Sequence, residues 1–171
     1  MKFVLVVYAS RMGSTGEIAA AVGEQLTNRG YDVEVHSAAT ARDARLYDAV
    51  IVGSAVYMGR WDRSALRYLQ AQAPDLAERP TWLFQSGPCG PEARTEGTHI
   101  PRAVARFCAK IGIAPPVTFG GNLDLSRATT WLARRVATSD LAGDSREWDE
   151  IRAWADSVAD RLESTRTMTV V

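Results

Sequence analysis

The chain has 171 residues, 46% of them hydrophobic, which is ample for one buried core and short for two domains of ordinary size. Twenty basic residues balance twenty acidic ones, which excludes both a broadly basic nucleic-acid surface and a markedly acidic one. Two cysteines without CxxC spacing, Cys89 and Cys108, and two scattered histidines, His36 and His99, exclude structural zinc and a disulfide framework and fit a reducing, cytoplasmic setting.

The first predicted element is a strand. Phe3, Val4, Leu5, Val6, Val7 and Tyr8 show no alternation, as expected of a strand covered on both faces inside a parallel sheet. The run is too short for a signal sequence, and nowhere do about eighteen apolar residues follow one another, so no spanning segment is predicted. The turn Ser10, Arg11, Met12, Gly13, Ser14, Thr15 comes next and leads into a helical run with Ile18, Ala19, Val22 and Leu26, stopping near Gly30. Three hydroxyls and a glycine at a helix opening suit an anion, because the first N–H groups of a helix lack partners and carry its positive dipole end. The Walker pattern is excluded, since no lysine follows Gly13, and so is the three-glycine dinucleotide fingerprint, since only Gly13 and Gly16 are present. A plainer reading, in which Ser14 caps a helix and Ser10 ends a strand, stays open on the loop alone.

The pattern S-x-x-G-x-T after the first strand, here Ser10, Gly13 and Thr15, resembles the phosphate loop of flavodoxins, which cradle the phosphate of FMN. The longer run SRMGSTGEIA is similar to the loop of one branch, the menaquinone-dependent protoporphyrinogen oxidases, which carry an arginine at the place of Arg11. The resemblance implies that Ser10 to Thr15 hold the FMN phosphate.

Residues 31–36 then alternate as an edge strand, Tyr31, Val33 and Val35 against Asp32, Glu34 and a solvent-facing His36. A polar helical turn over 38–46 leads to a third strand, Asp48 to Gly53, again unbroken and central. The segment Ser54, Ala55, Val56, Tyr57, Met58, Gly59, Arg60, Trp61 lies at that strand's carboxyl end, where open α/β sheets bind ligands. Two readings of its aromatics stand side by side: Tyr57 and Trp61 stack on a flat ring, or they cover the loop and the next helix. The resemblance implies that this second loop flanks the isoalloxazine.

A helix over 63–72 buries Leu66 and Leu69, and the strand Thr81 to Phe84 follows. It ends in Gln85, Ser86, Gly87, Pro88, Cys89, Gly90, Pro91, a turn whose glycines and prolines offer backbone N–H and C=O groups. Such groups match the alternating donors and acceptors of a flavin pyrimidine edge. Cys89 is read as a small filler and is assigned no chemistry, since no base or second thiol is near it in sequence. A polar linker over 92–100 precedes a helix beginning near Pro101, with Val104, Phe107, Cys108 and Ile111 on one face.

The fifth strand is read over 116–123. Residues 124–143 exceed what a minimal five-stranded fold needs, and 126–137 read as a basic amphipathic helix with Trp131, Leu132 and Val136 beside Arg127, Arg134 and Arg135. It either lies on an acidic membrane or partner surface or packs on its own domain. The last helix is read from Ser145 to about Ser164, capped by Asp144 or Ser145, and residues 165–171 as a loose tail. Its opening, GDSREWDEIRAWA, resembles the end of the same oxidase branch, so the likeness spans nearly the whole chain.

The expected fold is α/β, a flavodoxin-like three-layer sandwich with a five-stranded parallel sheet in order 2-1-3-4-5. Receiver domains share that order but need an acidic pair after strand one and an aspartate ending strand three; Tyr8-Ala9-Ser10 and Gly53-Ser54 stand there instead. The resemblance implies FMN as cofactor, with Ser54 to Gly59, Trp61 and the turn Ser86 to Gly90 bordering the ring. It further implies electron passage between a protoporphyrinogen-like substrate and a quinone, with Arg60, Arg94 or Arg127 meeting substrate carboxylates. A flavodoxin-type carrier between redox protein partners is the alternative. Peripheral membrane contact through 124–137 and a homodimer complete the expectations; no nucleic acid and no metal are expected.

Overall fold

In the computed structural model, which describes residues 2–10, 13–87, 99–123, 143–144 and 146–168, the opening apolar run forms β1 (Phe3–Ala9). Val4, Leu5, Val6 and Val7 are all at 0% exposure, so both faces of the strand are covered, as the missing alternation predicted. Val4 and Val6 point into one core and Leu5 and Val7 into another, one on each side of the sheet.

Four parallel neighbours complete the main sheet: β2 (Asp32–Ser37), β3 (Ala49–Tyr57), β5 (Thr81–Ser86) and β6 (Val117–Phe119), in spatial order β2-β1-β3-β5-β6. The order of the five parallel strands is the one expected. A sixth strand, β4 (Arg60–Trp61), was not anticipated; it folds back antiparallel onto the end of β3, pairing Val56 with Trp61 and Tyr57 with Arg60. The third strand therefore runs four residues past Gly53. Two further short strands, β7 (Asn122–Leu123) and β8 (Gly143–Asp144), pair with each other apart from the sheet. The expected strand over 116–123 is thus two pieces, divided at Gly120 and Gly121.

Helix α1 (Ser14–Asn28) and a final helix, α5 (Trp148–Met168), cover one face of the sheet. Ile18, Val22, Leu26, Ile151, Val158 and Leu162 are fully buried there, each worth roughly 1.5–3 kcal/mol relative to exposure. α2 (Arg63–Ala71), the short α3 (Ala73–Ala77) and α4 (Arg102–Ile111) cover the other face, with Leu69, Leu76, Val104, Phe107 and Cys108 buried. Asp62 caps α2 by accepting from the Ser64 N–H at 2.9 Å, and Gly112, with φ of 74°, ends α4 in the left-handed region.

Several sequence expectations change. Residues 38–46 hold only a single 3₁₀ turn, Ala44–Leu46, capped by Asp43. His36 faces water in part, its side chain 32% exposed, and hydrogen-bonds Glu34 at 2.9 Å. The last helix opens at Trp148, since Asp144 belongs to β8, and it continues through Met168 where a tail was expected from Thr165. Ser145, Arg11, Met12, Pro88, Cys89, Gly90 and the predicted helix over 126–137 lie outside the described residues.

Candidate functional site

Three chain segments meet at the carboxyl edge of the sheet. The register pairs Ala9 with Ser54 and Ala55 with Ser86, so β1 and β5 end at one level, where β3 leaves them and continues into the hairpin. The residues that follow are therefore delivered to one side of the molecule: Ser10 and Gly13 after β1, the end of the β3–β4 hairpin after β3, and Gly87 after β5.

The helix opening comes first. Gly13 is the N-cap of α1, with φ of 91° and no side-chain cap bond. That backbone setting is open to glycine and costly for a side chain. Ser10 Oγ accepts the Gly13 N–H at 2.9 Å and so fixes the turn. Thr15 is fully buried, and its hydroxyl shares a 2.8 Å hydrogen bond with that of Ser86, tying the first turn of α1 to the end of β5. Glu17, the acidic residue of that turn, is paired with Arg146, whose side chain is only 6% exposed and whose guanidinium lies 4.6 Å from the Trp148 ring centroid. The pair counters the one negative charge that would repel an anion at the helix opening.

The hairpin forms the second wall. Its turn residues Met58 and Gly59 both have positive φ, 49° and 70°, the signature of the two-residue turns that match strand twist. Met58 is the sole non-glycine residue with positive φ among those described, and it is 79% exposed. A left-handed methionine on an open tip is costly, and such strain collects at working sites. The His99 ring lies beside the turn, 3.7 Å from where a Cβ on Gly59 would stand.

Beneath these segments sits Gln85, a residue sequence reasoning passed over. Its side chain is buried at 1% exposure; Nε2 donates to the His99 carbonyl at 3.1 Å and to Thr118 Oγ1 at 2.9 Å, while Oε1 accepts from Trp61 Nε1 at 2.9 Å. One amide thus holds the hairpin, the approach to α4 and β6 in mutual register. The available signal was a long polar side chain closing the run Thr81-Trp82-Leu83-Phe84. Trp61 itself is 3% exposed and bound to Gln85, so it supports the hairpin from below. Ser54 is buried, and its hydroxyl accepts the Asp62 N–H at 3.0 Å and donates to the Ala55 carbonyl. Ala55, Val56 and Tyr57 are half-buried along the hairpin. Gly87 packs close to β6, its N–H on the Phe119 carbonyl at 2.8 Å.

The donor set fits FMN. Hydroxyls and helix-opening amides suit a phosphate, the nearby carboxylate is neutralised by an arginine, and the left-handed glycine keeps side-chain bulk out of the cradle. Among the described residues, no group of three or more His, Cys, Asp or Glu is placed to hold a metal, and no helix is long and apolar enough to cross a membrane.

Comparison with known proteins agrees with this geometry. A family model described as a flavodoxin domain matches residues 5–138. Solved structures of the same fold include a flavodoxin from the domain Archaea, 16% identical with a TM-score of 0.61 over 94% of this chain and 99% of that one. Flavodoxin 2 from Bacillus cereus is 16% identical, with a TM-score of 0.61 over 92% of this chain and 98% of that one. The rubredoxin oxygen:oxidoreductase of Desulfovibrio gigas matches over 96% of this chain and 37% of that one, at 17% identity and a TM-score of 0.60. No curated protein sequence matches the chain.

Proposed function

The chain belongs to the flavodoxin domain family, and from that premise we propose that it is an electron carrier between redox protein partners. Its cofactor is FMN, which when bound supplies a ring able to take up and return electrons. The observation that carries the reading is the opening of α1 at Gly13: left-handed, without a side-chain cap, and with its neighbouring acid held by Arg146.

In this reading Ser10, Gly13, Ser14 and Thr15, with Arg11 and Met12, hold the phosphate. Ser54, Ala55, Val56, Tyr57, Met58 and Gly59 border one side of the ring, and Ser86 and Gly87, with Pro88, Cys89 and Gly90, border its polar edge. Tyr57 and Met58 supply the ring contacts and Trp61 acts through Gln85. The work asked of the protein is binding, orientation and exclusion of water, and a carrier needs no acid or base of its own beyond that.

A narrower reading is an oxidase of a protoporphyrinogen-like substrate with a quinone acceptor, with membrane contact through 124–137 and a homodimer. The runs SRMGSTGEIA and GDSREWDEIRAWA favour it. One experiment separates the two. The FMN-loaded protein is reduced, and its reoxidation by protein acceptors is followed beside its turnover of protoporphyrinogen with a menaquinone analogue. The carrier reading expects reoxidation by protein acceptors with no porphyrin formed above the enzyme-free rate. Sustained porphyrin production would replace it with the oxidase reading.

A further inference from the structure

The zero net charge conceals a strong separation of charge. α2 and α4 lie side by side on the same face of the sheet, and neither contains an acidic residue. Their basic side chains, Arg63 and Arg67 on α2 and Arg102, Arg106 and Lys110 on α4, are all exposed, as is Arg60 on the hairpin. None of these six forms an ion pair with another described residue. The opposite layer mixes its charges, for α5 carries Asp149, Glu150, Asp156, Asp160 and Glu163 against Arg152, Arg161 and Arg166, and Arg29 pairs with three of those acids.

The placement of these cations is specific. Arg63 and Arg102 are the first residues of their helices, where the dipole disfavours a positive charge. Neither helix has an acidic residue in its first turn. Asp62, next to Arg63 in sequence, is engaged as the cap of α2 through the Ser64 N–H and hydroxyl. α2 follows directly on the hairpin, and α4 opens three residues past His99, whose ring lies beside Gly59 of the hairpin turn, so Arg60, Arg63 and Arg102 stand on the rim of the candidate site. The one large exposed apolar side chain at that end is Met58; α2 and α4 expose none.

We propose that the α2–α4 face docks an acidic redox protein, presenting the flavin end of this chain to a partner surface rich in carboxylates. The proposal rests on the FMN reading for its purpose, but the docking itself is a property of the arginines. A lipid surface is the weaker occupant, because membrane-bound helices bury large apolar residues and α2 and α4 expose none. A protein partner fits two parallel i, i+4 arginine pairs, and steering of this kind changes association rates by about 10 to 10³ with a steep salt dependence.

The test uses the full chain and three probes: an acidic plant-type ferredoxin, basic mitochondrial cytochrome c, and phosphatidylglycerol vesicles. Binding is measured at rising salt, for wild type and for the variant Arg63→Glu/Arg67→Glu/Arg102→Glu/Arg106→Glu, with Arg152→Glu on α5 as a control. The expected result is ferredoxin binding at low salt that weakens about tenfold or more by physiological ionic strength, falls at least about 30-fold in the quadruple variant and stays within about twofold in the control. Binding of cytochrome c in place of ferredoxin, an unaffected quadruple variant, or capture by vesicles without ferredoxin binding would each overturn it. Flavin absorbance read on the same samples distinguishes failure of the cofactor reading, which leaves protein colourless, from failure of docking.

Discussion

Arg146 shows how one side chain conditions a site it does not line. It pairs with Glu17 in the first turn of α1, is nearly excluded from water, and lies over the Trp148 ring. Removing it takes a counter-charge away from the carboxylate beside the helix opening that is read as the phosphate cradle. Arg146→Ala is expected to weaken FMN binding about 5- to 50-fold, and Glu17→Gln in the same background is expected to restore most of it, since the repelling charge is then gone. Fluorescence titration with FMN reads both. No recovery in the double variant would mean that Arg146 acts through packing alone. This pair is not legible in the sequence, because Glu17 and Arg146 lie 129 residues apart and only the packing of α5 on α1 brings them together. The turn after β1 and the opening of α1 were legible for the opposite reason: the glycine, hydroxyls and following helix are local in sequence.

At the scale of elements, the central strands could be read directly because full burial leaves an unbroken apolar run. The hairpin could not. Its second strand is only two residues long, and its turn places a methionine where glycine or asparagine is usual, so the segment reads as a loop. The register explains why β3 nevertheless continues: past Ala55 it loses its parallel neighbours, and β4 supplies the hydrogen-bonding partner. The end of α5 was misplaced because Thr165 to Met168 has no apolar stripe, and helix continuation there is not signalled by pattern. Gly53 shows how tightly the floor of the site is built. A Cβ there would stand 2.0 Å from the Phe84 ring, which itself packs with Phe119 and Trp154 at centroid distances of 6.0 and 5.9 Å. Gly53→Ala is expected to destabilise the fold by about 1–3 kcal/mol through overpacking, seen as a lower midpoint in urea with an unchanged slope. An unaltered midpoint would show that the aromatic cluster has room to move.

For the molecule as a whole, stability should respond to pH at both extremes. Burial first, and then the hydrogen bond to Glu34, push the Tyr47 phenol up to about 12. A phenol raised above its unfolded value of about 10 stabilises the fold fully below that value and loses the contribution as pH climbs towards 12. Glu34 moves the other way, its carboxyl held below the usual range by Tyr47 and then by His36. Asp156 is likewise lowered, by Gln25 first and Arg29 second. Carboxyls lowered in this way stabilise above their unfolded values near 4, and the contribution is lost as pH falls through the folded ones. Thermal midpoints are therefore expected to be level from about pH 5 to 9 and to fall on either side, with Tyr47→Phe flattening the alkaline limb. An alkaline limb unchanged in that variant would assign it to another phenol, such as Tyr68, whose titration burial also raises.

All of these effects surround a single claim, that the turn after β1 and the head of α1 hold the FMN phosphate. Quenching of FMN fluorescence on titration into wild type and Gly13→Val, with the folded fraction followed by circular dichroism, tests it most directly. The account predicts saturable one-to-one quenching by the wild type and at least about a 100-fold loss of affinity in a Gly13→Val protein that is still folded, because a β-branched side chain cannot take the left-handed backbone of that cap. Equal affinity in the two folded proteins would contradict it.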